Sequence, residues 1–317
     1  MVIAKYLKLV EIQTKVASMI PFILGTLYAI YRYQQFEVLH FVLMFISLLS
    51  FDMATTAINN YYDYRKALRK HGYGYEVHNA IVQYDMNPRG VAAIIIVLLV
   101  LAIGSGILLF LETGWLLLLL GGLSFAVGIL YSFGPLAISR MPLGEIFSGL
   151  FMGFIIPFVS VYIHALDKLA SLDFNIERFT VTLHVDLLEA LLVLLISIPA
   201  VFGIANIMLA NNICDIEDDI DNKRYTLPVY IGRARAIQLF RWLYYASYLD
   251  LVVLLMLKVP VILLVLALVT LIPVRKNMNK FAENPVKQFT FKLAVQNFIL
   301  ISSGRIAILA LAVLFTL

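Results

Sequence analysis

The sequence has few charged residues and a single cysteine. Only 14% of its 317 residues are Asp, Glu, Lys or Arg, whereas 62% are hydrophobic. Soluble domains average about 45–50% apolar and about 25% charged residues, so this composition excludes an ordinary soluble protein. Cys214 is the only cysteine in the sequence, so an internal disulfide is excluded. Because no Pro-, Gly- or Ser-rich linker or low-complexity stretch divides the chain, we expect a single domain over residues 1–317.

Mostly apolar runs recur along the whole chain. Nine of them lie at residues 14–32, 40–60, 91–111, 115–132, 143–164, 187–210, 236–257, 259–274 and 293–316, and the eighth is the shortest. A transmembrane helix needs about 20 apolar residues, and backbone groups in lipid must be hydrogen-bonded within the protein, which favours helices. The sequence therefore predicts an all-α integral membrane protein with nine transmembrane helices.

The basic residues are distributed unevenly around these runs. Residues 1–13 carry Lys5, Lys8 and Glu11 at spacings typical of an amphipathic helix, so we expect an interfacial segment rather than a signal peptide. If successive loops alternate sides, the side opposite the amino terminus has few basic residues: Arg32, Lys168, Arg178 and Lys258. The chain is therefore predicted to lie in the cytoplasmic (plasma) membrane, with its amino terminus in the cytoplasm and its carboxyl terminus outside.

Two other features carry an expectation about structure. The connection at residues 165–186 is amphipathic and mixed in charge, and we interpret it as a solvated loop or a surface helix. Arg305 falls within the last apolar run, where a charge facing lipid is costly. We therefore expect Arg305 to face the interior of the helical bundle.

Two acidic segments follow the second and sixth runs. Each begins with the pattern NNxxD, as NNYYD and NNICD, and both fall on the cytoplasmic side of the predicted topology. At 3.6 residues per turn, each segment presents oxygen-bearing side chains on one helical face. These side chains are Asn59 and Asp63 in the first segment, and Asn211, Asp215 and Asp219 in the second. We interpret the two segments as halves of one site with its mouth on the cytoplasmic side.

Oxygen ligands repeated every four residues are suited to a hard cation. Mg²⁺ binds one or two carboxylates together with waters and substrate phosphates, so such faces can hold a diphosphate through a bridging metal. Acids at the carboxyl end of a helix are unfavourable unless a cation offsets them, which also favours a metal. A solvated acidic loop explains equally well the other carboxylates of the second segment: Glu217, Asp218 and Asp221.

Basic residues follow both acidic segments. Lys66, Lys223 and Arg224 are candidate ligands of a diphosphate, on which charge develops as its ester bond breaks. Asn211 is a further candidate for the same role. The general preference for cationic loops on the cytoplasmic side explains the three basic residues as well.

Polar residues also interrupt the apolar pattern between the fourth and fifth runs. Glycine and proline residues break the helix there, beside Tyr131, Ser132, Arg140 and Glu145. Polar groups at the mouth of an apolar bundle are functional candidates. We assign Tyr131 a catalytic role, with an interfacial aromatic as the alternative, and Arg140 a role in binding the diphosphate.

Together these segments resemble the UbiA superfamily of intramembrane aromatic prenyltransferases. The stretch NNICDIEDDIDNKRYTLPVYIG at 211–232 is similar to the NNxxDxxxDxxxGKRTLxVxxG motif of the 1,4-dihydroxy-2-naphthoate polyprenyltransferase branch. NNYYDYRK at 59–66 is similar to the N[DE]xxD motif of the superfamily, and residues 130–157 are similar to its YxxGPxP…LGE…G stretch. The resemblance covers most of the chain.

The resemblance implies nine transmembrane helices around a central cavity whose cytoplasmic mouth binds Mg²⁺ and prenyl diphosphate. The matching positions imply these metal and diphosphate ligands: Asn59, Asp63, Asp215 and Asp219. The implied reaction moves a polyprenyl group to 1,4-dihydroxy-2-naphthoate with loss of CO₂ and pyrophosphate, giving demethylmenaquinone for menaquinone biosynthesis. The implied partners are the two substrates and the lipid bilayer, and no nucleic acid.

The chain departs from the superfamily pattern in both motifs. Asn60 stands where an acid is usual, and Ala67 and Arg69 stand where the first motif often continues to another carboxylate. Asn222 replaces the glycine before the basic pair of the second motif. The first segment thus keeps one firm carboxylate, Asp63, which leaves the number of Mg²⁺ ions open.

Two alternative functions stay open. The acceptor can be another aromatic compound, such as 4-hydroxybenzoate, a homogentisate or haem. A cation-coupled transporter also places Asp and Asn at broken helices, although near the bilayer midplane rather than beside basic residues at helix ends.

Overall fold

The structure is a computed structural model that describes residues 2–66, 79–132, 137–175 and 177–316. The chain divides into two compact units. The first consists of Met1–Met19 and Val42–Glu112, and the second of Ile20–Phe41 and Thr113–Leu317. Each unit has its own buried hydrophobic cluster.

Eight helical stretches in the described part of the chain are long and apolar enough to cross a membrane. They are Ile12–Tyr33, Val38–Arg65, Pro88–Thr113, Gly144–Tyr162, Leu187–Cys214, Arg233–Met256, Val261–Glu283 and Phe291–Phe315. A further apolar helix, Trp115–Tyr131, is shorter. The eighth run of the sequence belongs to a full-length stretch because its helix continues through charged residues to Glu283. The helical membrane architecture is thus confirmed, and eight of the nine predicted spans reach full length in the described part of the chain.

Two long helices dominate the first unit. Its elements are α1 (Val2–Leu9), a 3₁₀ helix (Ile12–Lys15), the first turn of α2 (Val16–Tyr33), most of α3 (Val38–Lys66), α4 (Ala80–Gln83) and α5 (Pro88–Thr113). Leu9 and Val10 are buried in a cluster with Ala57, Ile81 and Val91. The amino-terminal segment is therefore helical, and its last residues are anchored in the core of this unit.

A buried lysine lies inside the first unit. The Lys15 ammonium is 2.6 Å from Oδ1 of Asp52 and donates a hydrogen bond to the Thr56 hydroxyl at 2.7 Å. The Ser18 hydroxyl donates to the other carboxylate oxygen of Asp52 at 2.5 Å. Buried charges are tolerated when they are paired and hydrogen-bonded, so this cluster explains how Lys15 is accommodated within a candidate span.

Helix α5 exposes a continuous apolar surface. Ile96, Val100 and Leu111 are 61%, 65% and 68% exposed, respectively. A large contiguous apolar surface is unfavourable in water but is solvated by lipid tails. The exposure pattern of α5 therefore agrees with a helix that contacts the bilayer.

The second unit is organised around one long helix. After the remainder of α2, its elements are α6 (Trp115–Ser132), a 3₁₀ helix (Ile138–Arg140), α7 (Gly144–Leu150), a π-helix (Phe151–Ile155), α8 (Ile156–Tyr162), α9 (Leu166–Leu169), β1 (Ala170–Asn175), β2 (Thr180–Val185), α10 (Leu187–Cys214), α11 (Ile216–Asp221), α12 (Leu227–Ile231), α13 (Arg233–Ala246), α14 (Asp250–Met256), α15 (Val261–Leu268), α16 (Leu271–Glu283) and α17 (Phe291–Thr316). Helix α10 packs against α7, the π-helix, α13 and α17. It forms the centre of this unit, and the second acidic segment begins at its carboxyl end.

Helix α10 approaches α7 and the π-helix very closely. A Cβ atom on Gly153 would lie 2.4 Å from Cα of Val201, and one on Gly149 would lie 2.9 Å from the Val201 carbonyl oxygen. Small residues of this kind let membrane helices pack backbone against backbone. The π-helix precedes Pro157, which has no N–H to donate to the Gly153 carbonyl, and this explains the local widening.

The connection between α9 and α10 forms an antiparallel hairpin of β1 and β2. The prediction of a solvated loop or a surface helix for this connection is therefore wrong. Leu172 pairs with Leu183 and Phe174 pairs with Val181, and polar residues alternate with them along both strands. The Trp115 ring packs on Phe174 with a centroid separation of 5.0 Å. The sequence does contain the period-two alternation of a strand. In strands this short, the mixed charge pattern obscures it.

Arg305 is buried together with Asp250. Its Nε lies 2.6 Å from one carboxylate oxygen and its Nη2 lies 2.9 Å from the other, and both side chains are 1% exposed. The guanidinium also lies over the Tyr248 ring, 5.0 Å from its centroid. The expectation that Arg305 faces the protein interior is confirmed, and the two-point ion pair is the reason that it is tolerated there.

Candidate active site

The second acidic segment lies where α10 ends. Helix α10 stops at Cys214, Asp215 has angles of φ −102° and ψ 13°, and α11 begins at Ile216. The N–H of Asp215 nevertheless bonds to the Asn211 carbonyl, and that of Asp219 bonds to the Asp215 carbonyl. The one-turn spacing of the three predicted ligands is therefore kept across the break. Asn211 is half-buried, and Asp215 and Asp219 are 9% and 2% exposed.

Asp215 is paired with a lysine from a loop far along the chain. The Lys287 ammonium donates to Oδ2 of Asp215. Lys287 lies between α16 and α17, in a loop where the Thr290 hydroxyl accepts from the Val286 N–H and donates to the Asn284 carbonyl, both at 2.8 Å. The sequence analysis missed Lys287. Its signal in the sequence is a positive charge in a predicted cytoplasmic loop, which many other residues share.

Asp219 is held by residues that follow it in the chain. Its Oδ1 lies 3.3 Å from Nε of Arg224, and its Oδ2 accepts a hydrogen bond from the Thr226 hydroxyl at 2.9 Å. The Arg224 N–H donates to the Asp219 carbonyl at 2.7 Å, in a turn where Lys223 has a left-handed φ of 55°. The structure thus brings Asp219 and Arg224 together, whereas the Lys223 side chain is exposed.

The 3₁₀ helix before α7 joins this turn. Nη2 of Arg224 donates to the Ser139 carbonyl at 3.4 Å, and the Tyr225 N–H donates to the Arg140 carbonyl at 3.1 Å. The side chain of Arg140 is exposed, and Arg140 contacts this turn through its backbone carbonyl. The Gly-Pro stretch just before this helix, residues 133–136, lies outside the described residues.

Tyr131 and Glu145 lie next to each other in the same unit. The Tyr131 hydroxyl is 3.7 Å from the position that a Cβ atom on Gly144 would take, and the charges of Glu145 and Arg224 act on it. The Asn212 amide donates to Oε1 of Glu145 at 2.8 Å. Asn212 was not singled out by the sequence analysis, because its helical position turns it away from the face of Asn211 and the two aspartates.

The first acidic segment lies near the end of α3, within the first unit. Asn59 is half-buried and Asp63 is exposed, one helical turn apart. The side chain of Lys66 lies outside the described part of the chain, as do Ala67 and Arg69. The roles of Asn59, Asp63 and Lys66 as ligands therefore stay predictions.

Asn60 has a structural role in the same unit. It is 8% exposed, its amide donates to the Leu9 carbonyl at 2.9 Å, and its own carbonyl accepts from the Asn79 amide at 2.8 Å. An ionised aspartate has no donor for the Leu9 carbonyl. This contact gives a physical reason for the departure from the acid that is usual at this position.

The other carboxylates of the second segment lie at the surface. Glu217 accepts two hydrogen bonds from Nη2 of Arg233, both at 2.7 Å, and its side chain is 74% exposed. Asp218 and Asp221 are exposed. Exposed pairs of this kind contribute little to stability, and the alternative of a solvated acidic face describes these three residues well.

The second unit offers few donor groups for a Mg²⁺ ion. Among the residues that the structure describes, no group of three or more His, Cys, Asp or Glu side chains is arranged to hold a metal ion. The available donors are two buried carboxylates, Asp215 and Asp219, each balanced by a cation of the chain, Lys287 and Arg224. Mg²⁺ commonly binds through one or two carboxylates and completes its shell with water and phosphate oxygens. The residues therefore fit a Mg²⁺ ion that binds together with a diphosphate.

The sequence matches known prenyltransferases over most of its length. The model of the UbiA prenyltransferase family matches residues 18–297. The chain is 33% identical over 226 residues to 1,4-dihydroxy-2-naphthoate octaprenyltransferase of Bacillus subtilis (strain 168), covering 71% of this chain and 65% of that protein. The chain thus spans slightly less than two thirds of the length of this curated relative.

The fold is similar to that of solved UbiA homologues. A UbiA homologue from Archaeoglobus fulgidus bound to GPP and Mg²⁺ has a TM-score of 0.63 at 18% identity, over 98% of this chain and 99% of that one. The apo structure of a UbiA homologue from Aeropyrum pernix K1 also has a TM-score of 0.63, at 19% identity, over 93% of this chain and 98% of that one. These identities are low, so the two structures establish the fold alone. Because the family model covers most of the sequence and the fold agrees, the chain belongs to the UbiA prenyltransferase family.

Proposed function

We propose that the protein catalyses Mg²⁺-dependent transfer of a polyprenyl group from prenyl diphosphate to 1,4-dihydroxy-2-naphthoate, a step of menaquinone biosynthesis. A ring carbon bonds to the allylic carbon, the C–O bond to the diphosphate breaks, and the ring loses its carboxyl group as CO₂. The product is demethylmenaquinone in its quinol form, because the transfer exchanges no electrons. Family membership supports the reaction class, and the B. subtilis relative named for this acceptor supports the choice of acceptor.

The observation that carries this proposal is the pair of buried carboxylates, Asp215 and Asp219, each in contact with a cation of the chain. Asp215 and Asp219 would hold Mg²⁺ from the second segment, and Asn59 and Asp63 would contribute from the first. Bound Mg²⁺ supplies charge neutralisation for the departing diphosphate. The solved homologue with GPP and Mg²⁺ supports both the metal and the class of donor.

Basic residues would bind the diphosphate directly. Arg224 and Lys287 lie against the two carboxylates and can turn to phosphate oxygens once those carboxylates bind a metal; the planar guanidinium of Arg224 suits two-point contact. We also propose these residues as diphosphate ligands: Lys66, Arg140, Asn211 and Lys223. Tyr131, which lies beside Glu145, is proposed as a catalytic residue whose aromatic face stabilises the allylic cation.

The distribution of charge supports an orientation in the membrane. We propose nine spans, counting Trp115–Tyr131, with the amino terminus and both acidic segments on the cytoplasmic side and the carboxyl terminus outside. Single cysteines placed at Lys168 and at Lys280 in a Cys214→Ser background test this orientation. A membrane-impermeant thiol reagent added to intact cells should label position 168 and leave position 280 unlabelled, and the reverse pattern would invert the topology.

The reaction is tested with purified protein in detergent, supplied with Mg²⁺, geranylgeranyl diphosphate and 1,4-dihydroxy-2-naphthoate. Parallel reactions contain 4-hydroxybenzoate as the acceptor, or EDTA. We expect Mg²⁺-dependent demethylmenaquinone formation with the naphthoate. Product formation with 4-hydroxybenzoate but not with the naphthoate would support the mechanism and show that the acceptor is a different aromatic compound. The absence of product with every aromatic acceptor would refute the proposal.

Two variants test the metal ligands. Asp215→Asn and Asp63→Asn should each abolish transfer without unfolding the protein, and Asp218→Asn, which neutralises an exposed acid of the same segment, is the matched control. Near-native turnover in both of the first two variants would remove the metal-site assignment. Thermal unfolding in detergent separates loss of activity from loss of structure.

A further inference from the structure

Two buried oxygen atoms near the second acidic segment have no hydrogen-bond partner among the described residues. The Asn212 amide donates to Oε1 of Glu145 at 2.8 Å, which satisfies one oxygen of that carboxylate. The remaining oxygens, Oε2 of Glu145 and Oδ1 of Asn212, are buried and make no hydrogen bond to the described residues. Glu145 is 4% exposed and Asn212 is fully buried. Buried polar groups in native proteins are nearly always paired, so these two neighbouring acceptors call for a donor that the described residues do not supply.

The position of this pair is fixed by well-packed elements. Glu145 lies in the first turn of α7, and Asn212 lies in the last turn of α10, which packs against α7. The charge of Asp219 acts on Glu145, so the pair lies in the electrostatic environment of the proposed diphosphate site. The carboxylate of Asp219 has its own partners, Thr226 and Arg224. The unpaired oxygens are therefore separate from the groups that hold the Asp219 carboxylate.

The chemistry of the two atoms defines their ligand. With Glu145 ionised, both atoms can only accept hydrogen bonds, and Oε2 shares the carboxylate charge. They match a ligand that presents O–H donors, and they repel a phosphate or a second carboxylate. Of the two substrates in the proposed reaction, the prenyl diphosphate has no donor once it is ionised, whereas the dihydroxyaromatic acceptor has two phenolic hydroxyls.

We propose that Glu145 and Asn212 bind a phenolic hydroxyl of the aromatic acceptor, and that this contact positions the ring beside the diphosphate site. The proposal rests on the proposed prenyl transfer to a hydroxylated aromatic. A hydrogen bond from a phenol to a carboxylate strengthens as the ring develops positive charge on attacking the allylic carbon. Glu145 therefore favours reaction of the ring as well as its binding.

The ligand itself supplies the first test, without any change to the protein. 1-Hydroxy-4-methoxy-2-naphthoate keeps an electron-rich ring but has no donor at position 4. Wild-type protein should bind 1,4-dihydroxy-2-naphthoate more tightly than this analogue, by about 10- to 100-fold, as expected for one hydrogen bond to a charged group. The 1-hydroxyl of both compounds already bonds to the neighbouring carboxylate of the ligand, so the comparison tests the 4-hydroxyl. Equal affinity for both compounds would overturn the proposal.

The Glu145→Gln variant removes the acceptor with little change in shape. Its amide oxygen can still accept from Asn212, which orients the amide nitrogen to the position of Oε2 and replaces an acceptor with a donor. We expect the KM for the naphthoate to rise about 10- to 100-fold and the preference over the methoxy analogue to disappear. The KM for prenyl diphosphate should stay unchanged. Glu217→Gln, at an exposed carboxylate of α11, is the matched control.

A separate readout distinguishes failure of this inference from failure of the proposed function. Mg²⁺-dependent release of pyrophosphate from geranylgeranyl diphosphate in the absence of acceptor reports ionisation of the donor alone. We expect Glu145→Gln to retain it, and its loss together with transfer would assign Glu145 to the diphosphate or metal site and overturn the inference. If Glu145→Gln fails to fold, Asn212→Ser takes its place with the same expected change in KM. Wild-type protein that transfers to no aromatic would refute the proposed function itself.

Discussion

Replacing Lys287 with methionine tests whether this lysine and Mg²⁺ compete for Asp215. The Lys287 ammonium contacts Oδ2 of Asp215, so a metal that uses this oxygen must displace it. Methionine keeps an unbranched side chain of similar length and removes the charge. We therefore expect the Lys287→Met variant to bind Mg²⁺ more tightly than the wild type when no diphosphate is present.

The size of the effect follows from the exposure of the two side chains. The side chain of Lys287 is 55% exposed and that of Asp215 is 12% exposed, so solvent screens the pair from the side of the lysine. Exposed ion pairs contribute about 0–1 kcal/mol. We take the upper end, about 1 kcal/mol, because the carboxylate is mostly buried, and this corresponds to about a fivefold change in the Mg²⁺ dissociation constant. With prenyl diphosphate present, the effect on binding reverses, because the variant lacks a ligand for the phosphate oxygens. The KM of the variant for the prenyl diphosphate should therefore rise.

The assay is a Mg²⁺ titration of the thermal unfolding temperature of the detergent-solubilised protein, carried out without diphosphate. A ligand that binds only the folded state stabilises it by RT ln(1 + [L]/Kd), so the rise in unfolding temperature with Mg²⁺ concentration reports the dissociation constant. Lys280→Met removes the same charge from an exposed position on α16 and controls for general electrostatics. Unchanged or weaker Mg²⁺ binding in Lys287→Met would show that Asp215 does not exchange this lysine for a metal, and the argument would fail.

Three further predictions concern the second unit, each followed by thermal unfolding in detergent. Arg305→Met leaves the Asp250 carboxylate buried without its partner, so we expect the free energy of unfolding to fall by about 3–5 kcal/mol. The double variant Arg305→Met/Asp250→Leu should recover most of this loss, and equal instability of the single and double variants would contradict the ion pair. Gly153→Ala places a Cβ atom 2.4 Å from the backbone of α10 and should lower the unfolding temperature by several degrees, and a neutral effect would refute the close packing. Burial, with a smaller contribution from the His40 imidazole, lowers the pKa of His164 to about 4. Because the unfolded chain binds this proton near pH 6.5, stability is full above that pH and falls by about 3 kcal/mol as the pH drops to 4, and His164→Asn should flatten this part of the profile.

The helical membrane architecture could be predicted because apolar runs of span length report directly on burial in lipid. The spacing of Asp215 and Asp219 could be predicted because helical periodicity is local. Lys287 could not, since its contact with Asp215 joins residues 72 positions apart and depends on the path of the six helices between them, α11 to α16. The β-hairpin was missed because six-residue strands give too few alternations to outweigh a mixed charge pattern.

The two NNxxD segments share a helical plan, and the structure explains why each has two asparagines. In both, the first asparagine and the aspartate are one turn apart, while the second asparagine points elsewhere and fastens a neighbouring element. Asn60 donates to the carbonyl of Leu9, a neutral acceptor in the first unit. Asn212 donates instead to the carboxylate of Glu145, which has a second oxygen to offer.

This difference separates a purely structural anchor from one that also creates a binding group. In the first unit, the Asn60 amide donates to the Leu9 carbonyl, and the Asn79 amide donates to the Asn60 backbone carbonyl. These hydrogen bonds are made within the protein and indicate no ligand. The network of Asn212 leaves two buried acceptors beside Asp219. An internal repeat can thus diverge at its structural asparagine, and the proposed contact with a hydroxylated ring belongs to the second copy of the motif.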